Sequence, residues 1–178
     1  MLDAMNISTK IVDVLLEILP PGKTILEIGT GKGTVLLTDH WKIYSVEHNP
    51  AWHLGTSELL HVPLLSVEKN LPKTVVEFWE RFPEASRWYN VDILREKLTG
   101  VHYDLILIDG PPNGPRRIGM WWWYPLLFDT SVPVIVDDVH RQLDWAVAAR
   151  IAEIKKVTNF KVETVDDGEY RKMFAVIR

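Results

Sequence analysis

The chain of 178 residues has no cysteine, which excludes disulfides, thiolate metal sites and a thiol nucleophile. It has no apolar run of membrane-spanning length and no leader with a basic start and an apolar core. A soluble, cytoplasmic protein with no membrane partner is therefore expected. Positive charge is also in short supply. The net charge is -4, and the only basic pairs are Arg116-Arg117, Lys155-Lys156 and Arg171-Lys172. General polyanion binding wants a basic face, so the balance argues against nucleic acid as a partner. A composition 47% hydrophobic and 25% charged is that of an ordinary globular protein, and the length predicts one domain over 1–178. Eight tryptophans are the one surplus. Rings at that density line substrate or partner surfaces as readily as they fill a core, which leaves a homo-oligomer open.

The stretch that organises the rest is Ile25–Thr34, a short apolar strand running into a loop with glycines at 29, 31 and 33. Glycine is needed where a tight strand-to-helix turn brings backbone close to a ligand, because a Cβ would collide there. A second strand, 42–47, ends in Glu47-His48. An acid at that tip can accept both hydroxyl protons of a ribose. Together they predict a nucleoside site. The spacing is G-x-G-x-G with Thr34 in the sixth place, not the dinucleotide G-x-G-x-x-G. Gly22-Lys23-Thr24 ends like a Walker loop, but position 17 is Glu rather than Gly.

Taken in order, 7–19 reads as a helix with Ile7, Ile11, Val14, Leu15 and Ile18 on one face, stopped by Pro20-Pro21-Gly22; residues 1–22 form a leading segment, a lid or a packing helix. The helix after the glycine loop must be short, since strand two begins by 42. A short helix is predicted over 51–57 and a third strand over 59–65, broken by Pro63. Residues 66–98 read as an insert or cover, with Phe78, Trp79, Phe82, Trp88 and Tyr89 among charges and a helix at 91–98. Strand four, 103–108, is an apolar run of the kind buried on both faces of a parallel sheet, and it ends at Asp109. A helix at 117–127 carries Trp121-Trp122-Trp123, of which one or two suit an acceptor pocket. Strand five, 132–136, ends at Asp137-Asp138. A helix at 141–157 turns Leu143, Val147, Ile151 and Ile154 inward, with Trp145 as packing. A hairpin over 160–165 and 172–177 closes the chain. The class is α/β, Rossmann-like, with a sheet parallel except for one strand at or near one end.

Glu27-Ile28-Gly29-Thr30-Gly31-Lys32-Gly33 followed by Glu47 resembles the first two motifs of class I S-adenosylmethionine (SAM)-dependent methyltransferases. The resemblance implies a seven-stranded, mostly parallel sheet with a C-terminal antiparallel hairpin. It implies SAM as cofactor, held by Glu27, Gly29, Thr30, Gly31 and Gly33 at its methionine end and by Glu47 at its ribose, with His48 and Asp109 nearby.

Asp109, Asp137 and Asp138 would bring three carboxylates to neighbouring strand tips. Oxygen ligands in that number suit Mg²⁺ or Mn²⁺, which lowers the pKa of a hydroxyl acceptor. The arrangement resembles metal-dependent O-methyltransferases, including those acting on sugars, in which an acid after strand four and an acid pair after strand five bind the metal. Those enzymes often carry a further Asp where this chain has Pro111, so His140 becomes the candidate base, alongside Asp109 and Asp138 as catalytic residues. Asp109–Met120 with Val136–Arg141 also resembles the plant glucuronoxylan O-methyltransferase family, in which case Arg116 or Arg117 could grip a uronate carboxylate. Other readings stay open: Asp109 as a SAM contact alone, Asp137-Asp138 as a helix cap, and His140 as a cap-region histidine. The expected activity is SAM-dependent methylation of a small-molecule or saccharide hydroxyl. The alternatives are nucleic-acid or protein methylation, or a non-catalytic partner subunit. Gly110 and Asn113 spoil the likeness of Asp109–Asn113 to the Asp-Pro-Pro-aromatic signature of adenine methyltransferases, and the glycine spacing disfavours an NAD oxidoreductase.

Overall fold

The computed structural model describes residues 9–66, 87–112, 117–166 and 171–178. Helix α1 (Thr9–Ile18) precedes strand β1 (Thr24–Ile28), a short helix α2 (Thr34–Thr38), β2 (Lys42–Glu47), β3 (Glu58–His61) and β4 (Leu64–Ser66). Then come β5 (Arg87–Tyr89), α3 (Val91–Leu98), β6 (Leu105–Ile108), α4 (Gly119–Leu127), β7 (Val134–Val136) and α5 (Gln142–Lys155). Strands β8 (Lys161–Asp166) and β9 (Arg171–Ile177) finish the chain. Seven strands form one sheet in the order β3-β2-β1-β6-β7-β9-β8. β9 runs antiparallel to both β7 and β8, and every other neighbouring pair is parallel. This is the expected Rossmann-like, mostly parallel seven-stranded sheet with a C-terminal antiparallel hairpin. Among the described residues no helix is long and apolar enough to cross a membrane.

Strand side chains alternate between faces, and here both faces are apolar. Ile25, Leu105, Leu107, Ile135, Phe174 and Val176 pack on one side, where α1 contributes Ile11, Val14 and Leu15. Leu26, Ile28, Ile106, Ile108, Val134 and Val136 face the other side, against Leu94 of α3, Tyr124 of α4 and Val147 and Ile151 of α5. Helix α1 is therefore a packing helix of the sheet's first face. Ile7, the first residue of its predicted stripe, lies outside the described residues, as do Phe78, Trp79 and Phe82.

Several boundaries differ from expectation for local reasons. The predicted third strand is two strands. β3 joins the main sheet, while β4 pairs antiparallel with β5 in a sheet of its own. Pro63 lies at the break, where its missing N–H cannot serve a ladder. The helix predicted over 51–57 is a single 3₁₀ turn, Pro50–Trp52, capped by the Asn49 side chain. Trp88 and Tyr89 are buried core residues, their rings edge-on at 5.1 Å. Trp145, expected to serve packing, is 44% exposed and packs on Phe160 at the surface. Trp121, Trp122 and Trp123 are each half-buried, as their successive turns around α4 require.

Helix α4 meets β5 through a glycine. A Cβ built on Gly119 would lie 2.2 Å from the indole Cδ2 of Trp88, which is itself 1% exposed and has no room to retreat. Alanine is the better helix former, by about 1 kcal/mol. The overlap outweighs that preference, since overpacking a tight core costs about 1–3 kcal/mol. Gly119→Ala should therefore lower the melting temperature in a thermal unfolding scan. An unchanged or raised value would show that Trp88 moves freely.

Candidate functional site

The carboxyl ends of β1, β2, β6 and β7 converge, and the polar residues singled out in the sequence stand at those ends. Gly29 leaves β1 at φ +93°, a conformation that side-chain-bearing residues rarely adopt. A Cβ there would lie 2.6 Å from the Cα of Gly110, so the exits of β1 and β6 touch backbone to backbone. Gly31, by contrast, faces open space, with nothing within 4 Å of where a Cβ would be. The loop is thus tight at its base and open at its tip, which suits a ligand lying against main chain.

Glu27 and Glu47 fix this loop from below and from the side. Glu27 is 1% exposed. It accepts hydrogen bonds from Thr34 Oγ1 (2.9 and 3.0 Å) and Ser45 Oγ (2.7 Å). Thr34 Oγ1 in turn accepts from the Gly31 N–H at 3.1 Å, which ties the open tip of the loop to the buried acid. Burial pushes the Glu27 carboxyl up to about 8, against the pull of its Ser45 and Thr34 bonds. Glu47 is 2% exposed and lies beside the loop. Its Oε1 accepts the N–H groups of His48 and Asn49 at 2.8 Å, and Oε2 accepts that of Thr30 at 3.3 Å. His48 Nδ1 lies 2.6 Å from Oε1. Glu47 is therefore a preset acceptor, with the weaker bond on the oxygen nearer the glycine loop.

The second group of residues is an ionic cluster. Oxygens of Asp109, Asp137 and Asp138 lie within 4.8 Å of one another, so the structure brings the three predicted acids together. It also places a buried guanidinium among them. Arg117, 3% exposed, reaches Asp109 Oδ1 and Asp138 Oδ2 with Nη2 at 3.0 Å each, and donates to the Asp137 carbonyl with Nη1 at 3.0 Å. It also donates to the carbonyl of Asp109. Arg141, half exposed, adds a contact of 2.9 Å to Asp138 Oδ2. Arg117 is thus engaged with the acids rather than turned toward an acceptor, and Arg116, the other residue expected to grip a uronate, lies outside the described residues. Asp138 sits at φ +61°, the left-handed region that Asp tolerates better than most residues. His140 is exposed in the turn that follows, where the Arg141 N–H closes on the Asp138 carbonyl.

The sequence reading missed Asp144. It is fully buried in the first turn of α5, 4.0 Å from Arg117 Nε, with no hydrogen-bond partner on either oxygen among the described residues. The signal was present: Asp144 stands at i−3, i−4 and i−7 from buried Val147, Ala148 and Ile151, an acid within an apolar stripe. Four carboxylates thus surround one guanidinium. They cannot all ionise out of water. Burial, then the neighbouring Asp137, pushes Asp109 up to about 7. Burial likewise pushes Asp144 up to about 7, against the pull of Arg117.

Glu27 gives this site a pH-dependent stability with a definite sign. Its folded pKa is raised above the ordinary 4.5 to about 8, so the folded state holds a proton that the unfolded state has released between those values. The stabilisation is complete below the lower value and lost as pH rises through the upper one, at about 1.4 kcal/mol per unit. Glu27→Gln keeps a neutral hydrogen-bonding side chain and removes that slope. It should raise the melting temperature relative to the parent more at pH 8 than at pH 5, as read by calorimetric scans. A pH-independent difference would place an ionised Glu27 in the folded protein.

No protein-family model and no curated protein matches this sequence. Solved structures do share its fold. A methyltransferase from Pyrococcus furiosus superposes with a TM-score of 0.52 at 14% identity, over 94% of this chain and 81% of that one. Human methyltransferase 10 domain containing protein gives 0.51 at 12% identity, over 95% and 80%. At such identities the likeness is one of fold: the chain has the Rossmann-like fold that these methyltransferases share.

Proposed function

We propose that this protein is a SAM-dependent methyltransferase that methylates a hydroxyl group of a small molecule or saccharide. The observation that carries the reading is the pairing of an open main-chain loop at Gly29–Gly33 with a preset carboxylate, Glu47, on the adjacent strand tip. The loop backbone would hold the amino-acid end of SAM and Glu47 its ribose, with the N–H groups of His48 and Asn49 fixing the carboxylate. Bound there, SAM would supply an electrophilic methyl group. The chain's own contribution is alignment and proton removal. Asp109 is the acid of the cluster that reaches solvent, with 26% of its side chain exposed, and it stands beside Gly110 at the base of the loop. In this reading Asp109 would stand between the cofactor and the acceptor and would orient or deprotonate its hydroxyl. Asp138 is held rigidly behind it through Arg117. His140, exposed on the same rim, is the alternative base.

Calorimetric titration with SAM, S-adenosylhomocysteine and NAD separates the cofactor classes. A panel of hydroxyl, protein and RNA acceptors with labelled SAM then separates substrate classes; tight binding of S-adenosylhomocysteine without turnover on any of them would favour a non-catalytic subunit. Glu47→Gln retains a carbonyl for the backbone N–H groups but loses the charge. Hydrogen bonds to charged groups contribute about 1.5–3 kcal/mol each. The variant should therefore bind S-adenosylhomocysteine at least about tenfold more weakly. Unchanged affinity in a folded Glu47→Gln protein would remove Glu47 from the ribose.

A further inference from the structure

We propose that Arg117 is the resident cation of this site, occupying the space that a divalent metal fills in metal-dependent O-methyltransferases, so that the chain works without a bound metal. The inference deepens the methyltransferase reading and rests on it for the role of the acids. A divalent ion bridging Asp109 Oδ1 and Asp138 Oδ2 would sit between those two oxygens, at about 2.0–2.6 Å from each. In this fold that position is taken. Arg117 Nη2 stands 3.0 Å from Asp109 Oδ1 and 3.0 Å from Asp138 Oδ2, and both would have to release it before an ion could bridge them.

The guanidinium is not a surface side chain that could swing aside. It is 3% exposed, and its other terminal nitrogen is held by the main-chain carbonyl of Asp137. Buried Asp144 supports it from α5 at 4.0 Å. Expelling it would take its charge away from four carboxylates at once and remove the cation that stands 4.0 Å from Asp144. Arginine also suits the task chemically: it stays protonated at any working pH, and its planar fork joins two carboxylates at once. It thereby fixes Asp109 and Asp138 relative to each other, as a metal would, without presenting an open coordination position to the acceptor. Arg117 is a positioning residue in this account, acting through Asp109.

The test is direct metal binding. Wild-type protein stripped with EDTA is titrated with Mn²⁺ by calorimetry and by electron paramagnetic resonance, with and without S-adenosylhomocysteine. No saturable uptake is expected. Arg117→Lys should remain equally blind to Mn²⁺. Arg117→Met, which leaves the acids and removes the cation, should gain Mn²⁺ binding and a Mn²⁺-dependent rise in melting temperature. Should Arg117→Met not fold, Arg117→Met combined with Asp144→Leu removes the supporting acid as well and is read in the same way. Uptake of one Mn²⁺ by the wild type that Asp138→Asn abolishes would overturn the inference, whatever the variants do. A folded Arg117→Met protein that still takes no Mn²⁺ would overturn it too, since the guanidinium would not be what excludes the ion. The S-adenosylhomocysteine titrations on the same samples report separately on the cofactor: failure to bind it sinks the methyltransferase reading and leaves the Mn²⁺ result to stand by itself.

Discussion

The site depends on a contact between two pieces of backbone. Where β1 and β6 leave the sheet, Gly29 and Gly110 lie so close that a Cβ on either would fall 2.6 Å from the other's Cα. The Asp109 N–H donates to the Ile28 carbonyl across the same gap, and the Gly29 N–H reaches back to Val46 of β2. Three strand ends are thereby drawn together without intervening side chains. The glycine loop turns off one side of this junction and Asp109 off the other. Any residue larger than glycine would separate loop from acid, and with them the two halves of the site.

Above that junction the arrangement is electrostatic. The strands bury apolar residues on both faces, so their tips are where a low-dielectric core meets charge. Carboxylates placed there lose hydration and must find protons or cations. The two halves answer differently. Burial pushes the Glu27 carboxyl up to about 8 beneath the loop, where hydroxyl groups of Thr34 and Ser45 hold it. The cluster at β6, β7 and α5 gathers its acids around the buried Arg117, with Arg141 adding a contact to Asp138 from outside. Such a network adds little net stability against an apolar alternative, but losing its cation is costly, since the acids would be left buried and uncompensated. It is therefore better understood as holding a geometry than as holding the fold.

Much of this was legible in the sequence because it rests on period and punctuation. Unbroken apolar runs ending in Asp109 and Asp137-Asp138 marked parallel strands and their tips, and Asp166–Glu169 marked the closing hairpin. Glycines at 29, 31 and 33 marked the loop. What escaped was decided by tertiary contact. Pro63 permitted either a broken strand or two strands, and only the partner of β4, β5, settles which. Trp88 and Tyr89 sit among charges in sequence yet are core residues, and Trp88 lies beneath Gly119 because a glycine on a distant helix leaves room for an indole. Arg117 and Asp144 lie 27 positions apart and look like unrelated surface charges until α4 and α5 pack side by side.

That last pair explains why the acid cluster could be found from sequence while its chemistry could not. Three acids at two strand ends follow from strand boundaries alone, and the natural inference is an oxygen-rich metal site. Whether such acids hold a metal or a side chain depends on what else enters the same few ångströms, and nothing at the strand tips carries that information. It comes instead from the start of α4, which brings a guanidinium in from one side, and from the inward face of α5, which places a buried acid behind it. A basic residue just before one helix and an acid within the apolar stripe of the next is a pattern that sequence can display. Its meaning depends on the two helices lying against the same strand ends, which is a property of the doubly covered sheet rather than of either helix. The same acids can therefore serve metal chemistry in one such sheet and a fixed organic cation in another, with the choice made by the covering helices.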